Sequence, residues 1–412
     1  MFLAKFIKNL PRRQTGRKKL IISFVILICL FIYLLPKDIK INLYHQTASV
    51  FFVDSIDPAK LKEKPLVKIL IVPGHDNEYW GTEHKGVKEA DLNVELAEYL
   101  YDFLKNEERF DVSLLRDSKG YDAEYLDYFN GSRQAIFGFL QRHKKIMNTL
   151  IQVGILSFEE PFSNGIGYSQ SVSKVASNLY GINKWSNEHE MDIVLHIHFN
   201  DYYGRPHDKE GKYSGLTIYV PEKQYSNAKA SRSLAESISE NLGRLFAYSN
   251  LPFEEDDQGI VENQEFIATG SYNTLDAVGL LIEYGYIYEP KFMGSGTRKI
   301  VLQEMASQTY FGIKKYFNEI VEDDEIFVLP HRWDYDLKYG MQNSVDIFAL
   351  QMFLNQQGFY PPKWSNLSNC PISGYFGSCT LKSVKEFQKN NNIEPANGLV
   401  GPLTREKLNE IK

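Results

Sequence analysis

The chain has 412 residues and a formal net charge of -6, with 43% hydrophobic and 24% charged residues. A chain of this length usually folds into more than one domain. Its 26 tyrosines and 26 phenylalanines are too many for a disordered protein. Residues 1–19 hold seven lysines and arginines and no acid, so the remainder is more acidic than the whole chain. An acidic body excludes nucleic acid as an expected partner, because nucleic-acid-binding proteins are basic.

The basic residues precede an uncharged apolar run, Leu20–Leu35, which predicts a transmembrane helix near the lower length limit for a bilayer span. Positive charge before the run places the N-terminus in the cytoplasm. A cleaved signal peptide is the alternative, although Pro36-Lys37-Asp38 does not resemble a cleavage site. We therefore expect a cytoplasmic segment and anchor over 1–36 and a stalk over 37–66. The protein is then a single-pass cell-membrane protein whose body lies outside the cytoplasm.

Apolar segments and helical repeats alternate between residues 67 and 318, which predicts an α/β domain with a mainly parallel, twisted sheet covered by helices. Apolar residues from Leu92 to Leu104 recur at helical spacing, and further helices are predicted at Ser226–Phe246 and Ile300–Phe317. The predicted strands are Val67–Val72, Asp111–Leu115, Asp192–Phe199, Gly215–Val220 and Val278–Glu283.

Residues 118–170 interrupt this alternation and predict a helical insertion in the domain. One face of the insertion carries an apolar stripe, formed by Ile136, Phe139, Leu140, Met147 and Leu150. The insertion either widens the core or covers the functional site as a lid that a regulatory protein moves aside.

The C-terminal part begins with a linker over 319–342, acidic and then aromatic, and continues with a small all-α domain over 343–412. Within this domain Gly374-Tyr-Phe-Gly377-x-x-Thr380 recurs as Gly398-Leu-Val-Gly401-x-x-Thr404. In each copy we expect the glycines to form a turn and the threonine to cap the helix that follows.

Two cysteines, Cys370 and Cys379, lie close together in the part expected outside the cytoplasm. A disulfide between them is expected in an oxidising compartment, with two free thiols as the alternative. Two cysteines are too few for a structural zinc site.

Four residues able to bind a metal or transfer a proton lie at the ends of predicted elements: His75, Glu89, His198 and Glu283. Because the carboxyl ends of parallel strands share one edge of a sheet, we expect these side chains to converge there. Two imidazoles and one carboxylate suit Zn²⁺ with water as the fourth ligand. A second carboxylate nearby takes a proton from that water and passes it to a leaving amine, as amide hydrolysis requires.

The motifs around these residues resemble the zinc-dependent N-acetylmuramoyl-L-alanine amidases that have a Pro-Gly-His first motif. The resemblance covers residues 67–318 and implies that His75, Glu89 and His198 bind zinc and that Glu283 is the catalytic glutamate. The matching segments are Pro73-Gly74-His75, Glu89 with Asp91-Leu92-Asn93, Leu115-Arg116-Asp117, Ile197-His198-Phe199-Asn200 and Glu283-Tyr284-Gly285-Tyr286-Ile287.

Residues 343–412 resemble the small helical peptidoglycan-binding module, which implies peptidoglycan as a partner. The matching positions are Ala349-Leu350-Gln351, Leu354, Gly374-Tyr375-Phe376-Gly377, Thr380, Val384, Phe387-Gln388 and Gly398-Leu399-Val400-Gly401-Pro402-Leu403-Thr404. Most of these positions hold the fold, so they identify the module without locating a binding groove.

Three further residues carry expectations of their own. His196 stands where that amidase family usually has serine, and strand alternation places it on the same side as His198. We expect His196 to support the site or to pack, with a spare metal ligand as the alternative. Arg116 is expected to pair with an acid as structural support, and His84 to lie on a loop surface.

Together these features predict a cell-wall hydrolase that uses zinc to cleave the amide between the lactyl group of N-acetylmuramic acid and L-alanine. A zinc peptidase acting within the peptide stem is a second hypothesis. A non-catalytic wall-binding protein with a degenerate site is a third.

Overall fold

The computed structural model describes residues 56–152, 154, 156–157, 173–319 and 326–411. The predicted membrane segment, Leu20–Leu35, lies outside these ranges. Within them, no helix combines the length and the apolar character that crossing a membrane requires. The described end of the predicted stalk contains helix α1 (Pro58–Glu63), whose N-cap Asp57 accepts a hydrogen bond from the Ala59 N–H.

A six-stranded sheet has the order β2–β1–β3–β6–β4–β5, and all neighbouring pairs are parallel except the antiparallel pair of β6 and β4. Two short hairpins lie at 83–88 and 116–121. The prediction of a mainly parallel sheet is confirmed, although β4 and β5 run opposite to the other four strands. The strands are β1 (Val67–Pro73), β2 (Phe110–Leu114), β3 (Ile193–Asn200), β4 (Thr217–Pro221), β5 (Ile260–Asn263) and β6 (Val278–Tyr286).

Helices cover the sheet, as predicted, and the C-terminal region is helical. Short 3₁₀ turns at Ile267–Thr269 and Ser271–Asn273 precede β6. The remaining helices are α2 (Glu89–Leu104), α3 (Ala123–Gly131), α4 (Arg133–Gln152), α5 (Ser173–Glu188), α6 (Ala228–Gly243), α7 (Pro290–Met293), α8 (Ser295–Tyr316), α9 (Val345–Gln356), α10 (Ser378–Asn390) and α11 (Pro402–Glu410).

Side chains alternate between two cores across the sheet, because successive residues of a strand point to opposite faces. Ile193, Leu195 and Ile197 of β3 join the larger core, to which α2, α6 and α8 contribute. Val194 joins the smaller core, which includes Trp185 of α5 and residues of α3. The same alternation places the even-numbered residues of β3, including both of its histidines, on the face covered by α3 and α5.

The insertion is helical over its described residues, as predicted, and consists of α3 and α4. Four residues of its apolar stripe, Ile136, Phe139, Met147 and Leu150, are buried, and Leu140 packs against the cluster that contains Ile136. Residues 158–172 lie outside the described ranges. The stripe packs on α5 and on the 3₁₀ turns, so the insertion thickens the face that carries the two histidines.

The repeat in the C-terminal domain is built around two buried glutamines. Gln351 donates to the Tyr375 carbonyl and the Thr380 hydroxyl and accepts from the Gly374 N–H. Gln388 repeats these bonds one helix later with the equivalent residues of the second copy. The expected threonine caps are therefore wrong: Gly377 and Gly401 occupy the N-cap positions, and each threonine hydroxyl bonds a glutamine.

The expected disulfide joins Cys370 to Cys379 in the same domain, with an S–S distance of 2.06 Å.

The described part of the predicted linker, 326–342, is packed rather than extended away from the two domains. Trp333 is buried and its indole N–H donates to the Asp346 carbonyl at 2.9 Å. The Val328 N–H donates to the carboxylate of Glu304, a buried residue of α8, at 3.1 Å. The α/β region and the C-terminal region accordingly share one continuous core and belong to one compact unit.

Candidate active site

Three potential metal ligands come from three elements that meet at one edge of the sheet. His75 follows β1, Glu89 is the first residue of α2, and His198 lies near the end of β3. Since β1 and β3 are parallel neighbours, their carboxyl ends lie side by side at this edge. One donor atom from each of the three side chains lies within 4.8 Å of the other two. The structure therefore brings together the three residues that the sequence singled out.

The Glu89 carboxylate bridges the two imidazoles. One oxygen lies 3.1 Å from Nε2 of His75, and the other lies 2.9 Å from Nδ1 of His198. The backbone N–H groups of Thr82 and Phe199 also donate to this carboxylate, at 3.1 and 3.4 Å. These bonds fix its orientation, so the donor atoms of the trio are held in place before any ligand arrives.

The protonation preferences of the trio follow from burial and from the central carboxylate. Burial disfavours a charge on either imidazole and lowers the pKa of His198, whereas the adjacent Glu89 carboxylate raises the pKa of His75. Burial also works against ionising Glu89, but the two imidazoles outweigh it and hold the pKa of Glu89 well below its usual range. The site therefore favours an ionised carboxylate between two imidazoles, which is an electrostatic environment that suits a cation.

The turn that carries His75 is shaped by close contacts around Gly74. A Cβ atom on Gly74 would lie 2.2 Å from the His198 ring, so only glycine fits there. The Gly74 carbonyl accepts from the Asn93 amide at 2.9 Å and from the buried Arg116 guanidinium at 2.7 Å. Arg116 also bonds the carbonyls of Pro73 and Ala90. The expectation that Arg116 pairs with an acid is wrong, because backbone carbonyls at the end of β1 and the start of α2 take its N–H groups.

Glu283 lies on β6 in register with His198 on β3. It is buried, and its Oε2 has no hydrogen-bond partner within the described residues. Burial, together with the nearby carboxylates of Glu89 and Glu254, raises the pKa of Glu283 well above its usual value. The site thus holds a carboxyl group that binds a proton readily beside the three potential ligands.

Glu254, which the sequence did not single out, is also buried at this edge. Its two oxygens accept hydrogen bonds from five side chains: Asn200, Thr217, Tyr219, Ser249 and Tyr286. In the sequence Glu254 begins the acidic run Glu254-Glu255-Asp256-Asp257, a pattern typical of an exposed loop. No local signal distinguishes it, because its donors are scattered over 87 positions from Asn200 to Tyr286.

A pocket of about 560 Å³ opens beside the trio on the face covered by α5. Its walls include His75 and His198 and, farther along the sheet, His196 with apolar side chains of α5 and β6. His196 is buried and lies outside the group of potential ligands, so it is not a spare ligand in this arrangement.

His84, expected on a loop surface, is instead fully buried in the hairpin at 83–88. The Arg205 guanidinium lies 3.3 Å from its Nδ1, and the His84 ring packs edge-on against Tyr288. Arg205 in turn pairs with Asp201 just beyond β3. His84 therefore belongs to the packing that supports the loop after β3, a role for which a single histidine gives no sequence signal.

Comparison of the chain with protein families gives two matches. Residues 69–315 match the family described as N-acetylmuramoyl-L-alanine amidase. Residues 343–408 match a family described as a peptidoglycan binding domain. The first match covers more than half of the chain and includes all four residues at the sheet edge. A comparison with curated protein sequences found no match.

Several solved amidase structures are similar to this chain at low identity. The amidase CwlD from Clostridioides difficile, solved in complex with the GerS lipoprotein, is 17% identical, with a TM-score of 0.40, over 61% of this chain and 98% of that one. The amidase AmiC2 of Nostoc punctiforme is 16% identical, with a TM-score of 0.35, over 61% of this chain and 98% of that one. The catalytic domain of CwlV from Bacillus (Paenibacillus) polymyxa is 15% identical, with a TM-score of 0.35, over 61% and 99%.

Proposed function

The chain belongs to the N-acetylmuramoyl-L-alanine amidase family of cell-wall hydrolases, and on that premise we propose that it is a zinc enzyme. In this proposal His75, Glu89 and His198 hold the ion, and Glu283 is the catalytic proton carrier. The reaction is hydrolysis of the amide between the lactyl group of N-acetylmuramic acid and L-alanine. The observation that carries the proposal is the trio of donor atoms within 4.8 Å of one another.

The donor set fits zinc. Two imidazole nitrogens and one carboxylate oxygen form the protein part of a zinc site that leaves a position for water, whereas calcium and magnesium prefer oxygen ligands alone. The electrostatics support the same choice, since the ionised Glu89 lies between two imidazoles on a buried edge. A bound zinc ion supplies a Lewis acid that makes water more acidic and polarises an amide carbonyl.

Residues of the protein position the metal ligands and transfer the proton. Before the ion binds, Glu89 holds both imidazoles close together through its two oxygens. Asn93 and Arg116 hold the turn that presents His75. Glu283 has one oxygen without a partner and an environment that raises its pKa, so it accepts a proton from the attacking water. It then returns that proton to the amine nitrogen of L-alanine as the amide bond breaks.

The C-terminal domain supports the choice of substrate, because it matches a peptidoglycan binding domain and shares a core with the catalytic region. We further propose that the segment over Leu20–Leu35 anchors the protein in the cell membrane with its body outside the cytoplasm. Fractionation of cells that express the full chain tests the anchor. Recovery of a shortened protein in the medium would favour the cleaved signal peptide instead.

The helical insertion is proposed as the place where a regulatory protein acts. Its helices α3 and α4 pack against α5, whose side chains line the pocket beside the trio. Deleting residues 121–168 raises basal activity if the insertion restricts access to the site. Unchanged or lost activity in the deletion variant counts against a lid.

Digestion of purified sacculi followed by mass spectrometry tests the proposed reaction. An amidase releases free peptides that begin with L-alanine and leaves glycan strands without stems. A zinc peptidase leaves L-alanine on the muramic acid and shortens the stems instead. A wall-binding protein without catalysis releases nothing, and either of these two results overturns the proposal.

A further inference from the structure

His196 is a buried polar side chain that the proposed mechanism does not use. It is 1% exposed, and neither of its ring nitrogens has a hydrogen-bond partner among the described residues. A buried polar group without a partner destabilises a folded protein by about 1–3 kcal/mol. Because this imidazole lies in the wall of a pocket and has no partner within the described residues, a bound ligand is a suitable partner for it.

His196 lies on the same strand as His198, two residues before it. In the register of the sheet it pairs with Val72 of β1 and Leu281 of β6, and His198 pairs with Glu283 two residues later. Side chains two residues apart on a strand share a face and are separated by about 6.6 Å. His196 therefore lies one strand repeat deeper along the pocket than His198. This distance is close to the sum of one extended peptide residue, about 3.4 Å, and one hydrogen bond, about 2.9 Å.

The walls around His196 select the part of the substrate that reaches it. Apolar side chains dominate this end of the pocket, among them Leu179 and Ile182 of α5, Ala268 and Leu281. A sugar carries hydroxyl groups that need polar partners, whereas an alanyl segment offers methyl groups and isolated amides. The peptide side of the scissile bond therefore fits this end better than the glycan side.

We propose that this pocket is the subsite for the peptide stem and that the imidazole of His196 forms a hydrogen bond with the backbone amide that follows L-alanine. A neutral imidazole has one N–H donor and one acceptor nitrogen, so it matches a peptide group, which has both. The inference rests on the proposed function, because it takes the scissile amide to lie at the trio. In this role His196 binds substrate and takes no part in proton transfer.

Two synthetic substrates test the inference in the full chain: N-acetylmuramoyl-L-alanyl-L-alanine amide and N-acetylmuramoyl ethylamide, which keeps the scissile amide but lacks the one that follows. The wild type should prefer the longer substrate, and His196→Leu should reduce that preference about tenfold, the effect of one hydrogen bond of about 1.4 kcal/mol. The loss should appear in KM rather than kcat. His196→Gln, which keeps a donor and an acceptor, should retain part of the preference.

Two further measurements separate this role from packing. His196→Leu should unfold at the same temperature as the wild type or higher, because it removes two unpaired polar atoms from the interior. Calorimetry with the chelator-treated protein should show weaker binding of L-alanyl-L-alanine amide to His196→Leu than to the wild type. The matched control His189→Leu changes a histidine whose ring already bonds the Trp185 carbonyl, and it should leave both the preference and this binding unchanged.

The outcomes distinguish this inference from the proposed function. If the wild type cleaves neither substrate, the proposed function is wrong. If it cleaves both and His196→Leu keeps the wild-type preference, only the subsite assignment is wrong. Failure of His196→Leu to fold also overturns the inference, because the imidazole would then be satisfied within the protein.

Discussion

Buried polar side chains differ in how completely they are hydrogen-bonded, and two glutamines of the C-terminal domain contrast with two residues at the sheet edge. In the C-terminal domain Gln351 and Gln388 bond the turns of their repeats through both ends of the amide. At the edge of the sheet that carries the proposed active site, Glu283 and His196 are also buried, and both have atoms without a partner among the described residues. The paired glutamines hold the repeats of the C-terminal domain together, whereas the unpaired atoms of Glu283 and His196 lie near the potential metal ligands and are available to a ligand.

The same contrast exists within the catalytic edge itself. Glu254 and Glu283 are two buried carboxylates on the same side of the sheet, and Glu254 receives hydrogen bonds from five side chains. Its charge is therefore stabilised in place and helps to raise the pKa of Glu283. One carboxylate is fixed by the fold, and the other remains available for chemistry.

The largest effect is expected for the unpaired carboxylate. Glu283→Gln should lower kcat about 10²- to 10⁴-fold, because an amide of the same shape cannot carry the proton. Turnover of isolated sacculi measures the loss. A rate near that of the wild type would show that Glu283, although unpaired, is not the proton carrier.

A smaller effect is expected for a side chain that supports the trio through one hydrogen bond. Asn93→Ala removes the amide that bonds the Gly74 carbonyl and should weaken zinc binding about 10- to 100-fold, because the turn that presents His75 loosens. Competition with a chelator of known affinity measures the change. Asn355→Ala, which removes a similar amide-to-carbonyl bond in the C-terminal domain, is the control and should leave zinc affinity unaltered.

The paired glutamines should behave in the opposite way to His196. Gln388→Leu leaves the Gly398 N–H and the Leu399 carbonyl without their partner, so it should lower the free energy of unfolding by about 1–3 kcal/mol. Denaturation by urea measures this loss. Cleavage of a small soluble muramoyl peptide should stay at the wild-type rate, and a matching loss there would mean that the two halves are not separable in function.

The smallest effect concerns acid stability and the insertion. Burial lowers the pKa of His143 on α4 to about 4, below its ordinary value of 6.5. Between these values the unfolded chain binds more protons than the folded one, so stability should fall as pH drops from 6.5 to 4. His143→Phe should reduce this fall by about 1–2 kcal/mol.

His196, whose pKa burial lowers to about 3, contributes to the same pH range, so part of the slope should remain in His143→Phe. Urea denaturation at several pH values measures the slope. An identical slope in both proteins would show that His143 is solvated in the folded state.

The sheet and the four polar residues at its edge could be predicted from the sequence because each depends on a short, local pattern. Apolar strands such as Val278–Glu283 end at polar residues, and each motif lies within a few positions of one strand or helix end. The reversed direction of β4 could not be predicted from the sequence. The segments before and after this strand, 201–216 and 222–277, contain no pattern that indicates whether it runs parallel or antiparallel to its neighbours. The short strand β5 was missed because four residues give too little alternation to recognise.

The hydrogen-bond network was less predictable than the fold. Arg116 and Glu254 form hydrogen bonds with residues far from them in sequence. The sequence around each of them does not specify whether the partner is an acid, a hydroxyl or a carbonyl. The sequence likewise could not predict that His196 lacks a hydrogen-bond partner, because this depends on which side chains of α5 and β6 lie beside its ring. The sequence singled out residues that converge at one edge of the sheet, and the structure revealed which of them have no hydrogen-bond partner among the described residues.

The zinc content of the purified full chain is the decisive measurement for the proposed metal centre. We expect one zinc ion per chain in the wild type and in Glu283→Gln. We expect loss of the ion in Glu89→Ala, which removes the carboxylate between the imidazoles. A folded Glu89→Ala variant that keeps its zinc, or a wild type that binds none, would contradict the claim that this trio is the metal centre.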